Sequence, residues 1–137
     1  MKVIIAGSRQ IMNYQLVSAV ISNTLSKYNI QITEIVSGCA GGVDTLGEQW
    51  ALEHGVKVEP FPALWDDITV PNALIRTNKF GKQYNARAGF QRNEKMAQYG
   101  DVLIAVWDGE SRGTRDMIKA AKSKNLAVYV YNTSIGG

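Results

Sequence analysis

The chain has 137 residues, 45% of them apolar, with 15 Lys and Arg against 12 Asp and Glu for a formal charge of +3. These proportions exclude a disordered, collagenous or coiled-rod chain, and the length suits one domain that buries its own core without disulfides or a structural metal. One cysteine, Cys39, and one histidine, His54, leave neither an internal disulfide nor a Cys/His zinc cluster, so no metal is expected. No apolar run reaches the ~20 residues of a membrane span, and the run at the N-terminus is too short for a signal-peptide core, so a reducing cytoplasm is the expected setting.

Lys2 to Ala6 is a β-branched run ended by Gly7-Ser8 and reads as a buried first strand. Asn13 then caps a helix in which Leu16, Val17, Val20, Ile21, Leu25 and Tyr28 recur at helical spacing, with Asn29 as its stop. Glu34 to Ser37 is the second strand, Gly38 to Gly42 a break, and Val43, Leu46, Trp50 and Ala51 mark one face of a second helix that stops at Gly55. Val56 to Phe61 is the third strand, and Pro60, which has no N–H to donate, suits the margin of a sheet. From Pro62 to Ala88 prolines, Gly81 and several Asn residues interrupt every period, which predicts a long basic loop with room for one short helix. A helix over Gly89–Tyr99, a strand over Asp101–Trp107, a helix over Arg112–Lys124 and a strand over Leu126–Tyr131 complete the chain.

Strand and helix alternate throughout, so the expected fold is α/β: a Rossmann-like three-layer sandwich over residues 1–137 with a mostly parallel five-stranded sheet, strand order 3-2-1-4-5. In that order the chain reverses direction between strands one and four, and ligands bind at the carboxyl ends of the strands at such a switch point. Four glycine-containing turns bear on it: Gly7-Ser8-Arg9, Ser37-Gly38-Cys39-Ala40-Gly41-Gly42-Val43-Asp44, Ala88-Gly89-Phe90-Gln91-Arg92-Asn93, and Asp108-Gly109-Glu110-Ser111-Arg112-Gly113-Thr114. Glycine lets backbone approach a ligand closely, and each following helix N-terminus offers free N–H groups and a positive dipole end to an anion. Any one such turn is equally what a tight strand-to-helix connection needs for its geometry. Three of them share one end of the sheet and together describe a phosphate-sized cradle.

The strings "VIIAGSR", "IVSGCAGGVDTLGEQWALEHG", "FPALWDD" and "GFQRNEKMAQYGDVLIAVWDGESRGTRDMI" resemble, in this order, the YspA-like branch of the SLOG superfamily, Rossmann-like nucleotide-binding domains that include the DprA and LOG proteins. The resemblance covers nearly the whole chain. It implies a site for a nucleotide or nucleotide-derived ligand, possible NAD or ADP-ribose types included, acting in sensing or sequestration. It carries Gly7, Ser8 and Arg9 onto the first loop, Ser37, Gly38, Gly42 and Asp44 onto the second, Arg92 and Asn93 onto the third helix, and Gly113 and Thr114 onto the last loop, where Asp108, Gly109, Ser111 and Arg112 complete the expected ligand set. The implied location is a bacterial cytoplasm, or the host's if the chain is phage-encoded, and the implied assembly is a homo-oligomer.

Two positions depart from the relatives. Gly41 stands where the second loop usually has an arginine, so that charge is absent or comes from Arg9, Arg92 or Arg112. Met117 stands where the LOG-type phosphoribohydrolases have the glutamate of G-T-x-x-E; a thioether neither accepts a proton nor attacks a sugar carbon, which disfavours catalysis by that route. Asp116, one helical residue away, should point off that face. Asp44 and Asp101 remain as candidate acids or bases near the same strand ends, although a first-turn Asp44 more often just bonds loop or helix N–H groups.

Bland readings attach to other residues: Cys39 as a small packed thiol, His54 as an exposed helix C-cap, Asp66-Asp67 as a solvated pair, Trp50 and Trp107 as core. Between Pro71 and Lys95 the cations Arg76, Lys79, Lys82, Arg87, Arg92 and Lys95 face Glu94 alone, so the basic excess is localised and suits a cationic flap over the glycine loops as well as a solvated loop. Three functions follow: binding of a nucleotide-type small molecule with no further cofactor, cleavage of a nucleotide N-glycosidic bond with Asp44 or Asp101 as the acid, and DprA-like single-stranded DNA binding with Trp65, Phe90 or Tyr84 stacking on bases.

Overall fold

The computed structural model describes residues 1–134, so the last three residues of the expected domain, 135–137, lie outside it. Its elements are β1 (Lys2–Gly7), α1 (Tyr14–Lys27), β2 (Glu34–Ser37), α2 (Val43–Glu53), β3 (Lys57–Pro60), β4 (Ile75–Thr77), β5 (Gln83–Asn85), α3 (Ala88–Tyr99), β6 (Val102–Trp107), α4 (Arg112–Ser123) and β7 (Ala127–Asn132). Five strands form one parallel sheet in the order β3-β2-β1-β6-β7, which is 3-2-1-4-5 when the sheet strands alone are counted. The chain therefore reverses direction between β1 and β6, and their carboxyl ends form the switch point.

The two central strands carry apolar side chains on both faces because both faces are covered. Val3, Ile5, Val102, Ile104 and Val106 pack with Val17 and Ile21 of α1 and Val43, Trp50 and Ala51 of α2. Ile4, Ala6, Leu103 and Ala105 pack with Met96 and Ala97 of α3 and Met117 and Ala121 of α4. Each fully buried Ile or Leu here contributes about 1.5–3 kcal/mol relative to exposure. Gly47 permits a close helix-to-sheet approach, since a Cβ there would stand 2.7 Å from Ile5 Cγ2. Asn13 caps α1 as expected, its side-chain oxygen accepting from Leu16 N at 3.1 Å.

The segment between β3 and α3 departs from expectation. It holds no short helix among its described residues but an antiparallel hairpin, β4 with β5, in which Arg76 pairs with Tyr84. The turn is built by Asn78, whose Oδ1 accepts from Phe80 N and Lys82 N, and by Gly81 at φ +80°. Three-residue strands are too short for their alternation to stand out from the polar residues around them. Pro60 lies on an edge strand as its chemistry requires, because β3 closes one side of the sheet and β7 the other.

Candidate functional site

A cavity of about 440 Å³ opens over the carboxyl ends of β1 and β6. Gly7, Ser8 and Arg9 enter it from the first loop, Asp44 from the start of α2, Arg92 and Asn93 from α3, and Asp108, Ser111, Gly113 and Thr114 from the last loop and α4. Ser8 ties these loops together. Its N–H donates to the Val106 carbonyl at 3.2 Å, its own carbonyl accepts from Ile11 and Val43 N at 3.3 Å each, and its Oγ accepts from Asp108 N at 3.0 Å.

The other expected residues act behind the wall. Gly42 has φ +68°, and a Cβ on it would overlap the carbonyls of Ser8 and Arg9, so its role is to let two loops touch. Gly38 leaves the gap between two charged side chains, as a Cβ would stand 2.8 Å from both Arg92 Nη1 and Asp44 Oδ2. Buried Ser37 donates to Glu48 Oε2 at 2.6 Å and accepts from Cys39 N at 3.1 Å. Gly109, at φ +84°, shapes the turn after β6, and Arg112 is exposed at the start of α4 without lining the cavity.

Asp101 lies elsewhere than expected. It precedes β6, accepting from Lys2 N through Oδ2 at 2.8 Å and donating its own N–H to the Lys2 carbonyl, which puts it at the amino ends of the strands. Six residues of β6 at about 3.3 Å each set it roughly 20 Å from the cavity. Asp101 therefore drops out as an acid for this site, whereas Asp44 stays.

Asp44 is 6% exposed. Burial pushes its carboxyl up from 3.8 to about 6, against the pull of the Ala40 N–H, which bonds Oδ2 at 3.2 Å, and of the Arg92 and Arg9 charges; nearby Glu48 adds to the rise. Arg92 crosses from α3 to the second loop, donating through Nη1 to the Gly38 carbonyl and through Nε to Asn93 Oδ1 at 3.0 Å. Burial lowers its pKa, with Asp44 opposing that shift. Asn93 in turn donates to the Gly113 carbonyl at 3.2 Å and to Asp116 Oδ2 at 3.0 Å, fastening α3 to α4. Asp116 is thereby engaged outside the cavity, while Met117 lines it and is 1% exposed, as one step of helical rotation requires.

The last loop is organised by Asp108, whose Oδ1 accepts from Glu110 N and Ser111 N at 2.8 Å each and whose carboxyl these bonds hold below the usual carboxylate range. Ser111 occupies the N-cap of α4 but makes no side-chain cap bond; its Oγ accepts from Thr114 Oγ1 at 3.2 Å instead. Among the described residues no group accepts from the N–H of Gly113 or Thr114. These donors and the positive end of α4 face the same cavity as Arg9 and Arg92. The sequence missed Glu110 at the rim, although it falls in the same turn as Asp108 and Ser111.

A second cavity of about 620 Å³ lies between α3 and the segment after β3, with Phe61, Pro62, Leu64, Val70 and Pro71 on its apolar side, and Arg92 lines both cavities. The basic hairpin supplies no residue to the first cavity: Lys82 pairs with Asp66 at 3.1 Å and Lys79 lies over the Phe80 ring. Trp65, Tyr84 and Phe90 also stay outside it; Trp65 packs near Gly89, and Phe90 lines a separate groove beside Asp116. Cys39 is exposed rather than packed, at φ +60°, and desolvation together with the Glu48 charge raises its thiol pKa away from the thiolate. His54 does cap α2, its Nδ1 2.7 Å from the Trp50 carbonyl. No group of three or more His, Cys, Asp or Glu side chains able to hold a metal occurs among the described residues. No helix there is long and apolar enough to cross a membrane.

The sequence model of the family described as "YAcAr: YspA, cpYpsA-related SLOG family" matches residues 1–67, which include the first two glycine loops. No curated protein matches the chain. Among solved structures, DNA processing protein A (DprA) from Streptococcus pneumoniae aligns with a TM-score of 0.70 at 24% identity over 98% of this chain. That alignment spans 51% of the DprA chain, and at this identity it establishes a shared fold. Over residues 1–67 the chain is thus similar to the YspA, cpYpsA-related SLOG family, and its Rossmann-like fold is one that it shares with DprA.

Proposed function

We propose that this domain binds a phosphorylated nucleotide or nucleotide-derived small molecule in the cavity over β1 and β6, as a sensing or sequestering module. The observation that carries the reading is the uncapped N-terminus of α4, opening with the Gly113 and Thr114 N–H groups into a cavity that also holds Arg9 and Arg92. Backbone donors and a helix dipole recognise a phosphate without specifying what it is attached to, and the two guanidiniums supply the countercharge missing at Gly41. The polar groups of Ser8 and Asp108 are already committed to joining the loops, so the anion meets a preformed site. Thermal scanning with mono- and dinucleotides, NAD, ADP-ribose and cyclic nucleotides tests it: a ligand that raises the melting temperature supports the reading, and no shift with any at millimolar concentration overturns it.

One observation favours N-glycosidic hydrolysis as a second reading. Asp44, with a pKa of about 6, is the buried carboxyl in the cavity that could hold a proton to donate to a leaving base. Chromatographic detection of free base from an incubated nucleotide, lost in a folded Asp44→Asn chain, would establish turnover; absence of base leaves binding alone. Single-stranded DNA binding draws on the shared fold with DprA, and a steeply salt-dependent oligonucleotide affinity would be its signature.

A further inference from the structure

Helix α3 borders two cavities with different faces. Asn93 and Met96 line the glycine-loop cavity, whereas Ala88, Gln91, Lys95 and Gln98 line the one of about 620 Å³ on the other side. Arg92, one helical step from Asn93, stands between the faces and lines both. Its Nε and Nη1 are bonded to Asn93 and to the Gly38 carbonyl, while Nη2 has no hydrogen-bond partner among the described residues. The second cavity has fixed walls. Phe61 N donates to the Ser37 carbonyl at 2.7 Å and the Phe61 ring packs on Tyr99 with centroids 5.3 Å apart, which anchors the aromatic side to the end of β2. Asn85, 1% exposed, holds the facing segment to α3: its Oδ1 accepts from Leu74 N at 3.1 Å and Arg87 N at 3.0 Å, and its Nδ2 donates to Gln91 Oε1 at 2.7 Å. Gln91 Nε2 continues the chain of bonds to the Pro71 carbonyl at 3.1 Å.

We propose that this second cavity is a subsite for a heteroaromatic base joined to the phosphate that the first cavity takes, so that one ligand lies across Arg92. The proposal rests on the phosphate reading of the first cavity. Its support is a division of chemistry between the two spaces. The first gathers Arg9, Asp44, Asp108 and backbone N–H groups; the second sets Phe61, Leu64 and Val70 against a polar edge that includes Gln91 and Gln98. A flat ring with apolar faces and a hydrogen-bonding rim satisfies both sides of that second space. An alkyl chain would leave the amide edge unused, and a second phosphate would meet an apolar wall. Gln98 makes no hydrogen bond among the described residues, so its amide is free to read the rim of a ring. The volume falls within the roughly 300–1,000 Å³ of small-molecule pockets, and the shared residue puts the two spaces one side chain apart. Arg92 Nη2 is then the donor left over for the linkage between base and phosphate.

The test is calorimetric titration of the full chain with AMP, NAD and ribose 5-phosphate, for the wild type and for two variants of the second cavity that touch nothing in the first. Leu64→Gln makes its apolar wall polar at a half-exposed position, and Val70→Trp fills it. At least a tenfold loss of affinity for AMP or NAD in the folded variants, with ribose 5-phosphate held within twofold, supports the proposal. Nucleotide affinity unchanged in both folded variants overturns it and leaves the phosphate site standing. If none of the three ligands binds the wild type, the phosphate reading fails and the subsite falls with it. Hydrogen exchange on the wild type gives a readout that needs no variant. Saturating AMP or NAD should slow exchange severalfold in the 61–73 segment, where the Asp67 and Ala73 amides close turns beside the cavity, and ribose 5-phosphate should not. Slowing confined to the glycine loops with every ligand would overturn the proposal even if neither variant folds.

Discussion

Asp44→Asn isolates the electrostatic state of the cavity floor. The Asp44 carboxyl goes from an ordinary 3.8 to about 6 on folding, and at ~1.4 kcal/mol per unit the folded chain disfavours its ionised form by roughly 3 kcal/mol. The residue is 6% exposed, so solvent screening removes little of this. The folded chain holds the proton more tightly than the unfolded one, so stability from this group is fully present below about pH 4 and is lost as pH rises through 6. An amide at the position cannot ionise and still accepts from Ala40 N. In urea denaturation at stepped pH, the stability of Asp44→Asn relative to wild type should therefore climb by about 3 kcal/mol between pH 4 and pH 7. A difference that stays flat across that window would show that Asp44 ionises normally, and the buried-acid reasoning would fail. A bound phosphate extends the same logic, since added negative charge raises the carboxyl further; binding should take up protons near neutral pH, seen as a calorimetric enthalpy that depends on the buffer.

Gly42→Ala should cost more than 3 kcal/mol, because it combines a positive φ with overlap on the Ser8 and Arg9 carbonyls, whereas Gly41→Ala, with open space around its Cβ, should stay within about 0.5 kcal/mol in the same denaturation assay. Gly41→Arg restores the charge that related loops carry and should tighten a phosphorylated ligand severalfold by calorimetry without changing stability. Arg92→Gln should weaken that ligand at least tenfold, while Lys79→Ala with Lys82→Ala should leave it within twofold, because the hairpin contributes nothing to the cavity; equal losses from both would return the hairpin to the site as a flap.

Periodicity was a good guide wherever burial is two-sided. Ile4 and Ile5 face different helices, so β1 reads as a continuous apolar run, and the same holds for Leu103 and Ile104 in β6. Alternation of such strands with helices was enough to place the glycine loops at one end of the sheet. What periodicity cannot register is a strand with few apolar contacts, and so the Ile75–Thr77 and Gln83–Asn85 hairpin passed as loop. Site chemistry was harder to read. Gly38 and Gly42 match the motif but act by admitting neighbours, which is a property of packing distance rather than residue type. Asp101 lies a full strand length from the site, since a residue that opens a parallel strand and the loop that follows its last residue are at opposite ends of the sheet. The basic excess of the 71–95 segment resolved into Arg92, which enters the cavity, and hairpin cations, which do not.

Ser8 binds the carbonyl of one strand, two amides of its own and the second loop, and an amide of the last loop. Three segments far apart in sequence thus share one short side chain and its peptide groups as a common fixing point. The cavity can therefore be expected to respond to perturbation as a unit: loosening any one loop releases strain or slack into the other two. Substitutions at Gly7, Gly42 and Asp108 should then fail to add in their effects on ligand affinity, each alone removing much of what all three remove together. Such a site is well suited to a yes-or-no reading of its ligand and poorly suited to gradual retuning of its affinity one residue at a time.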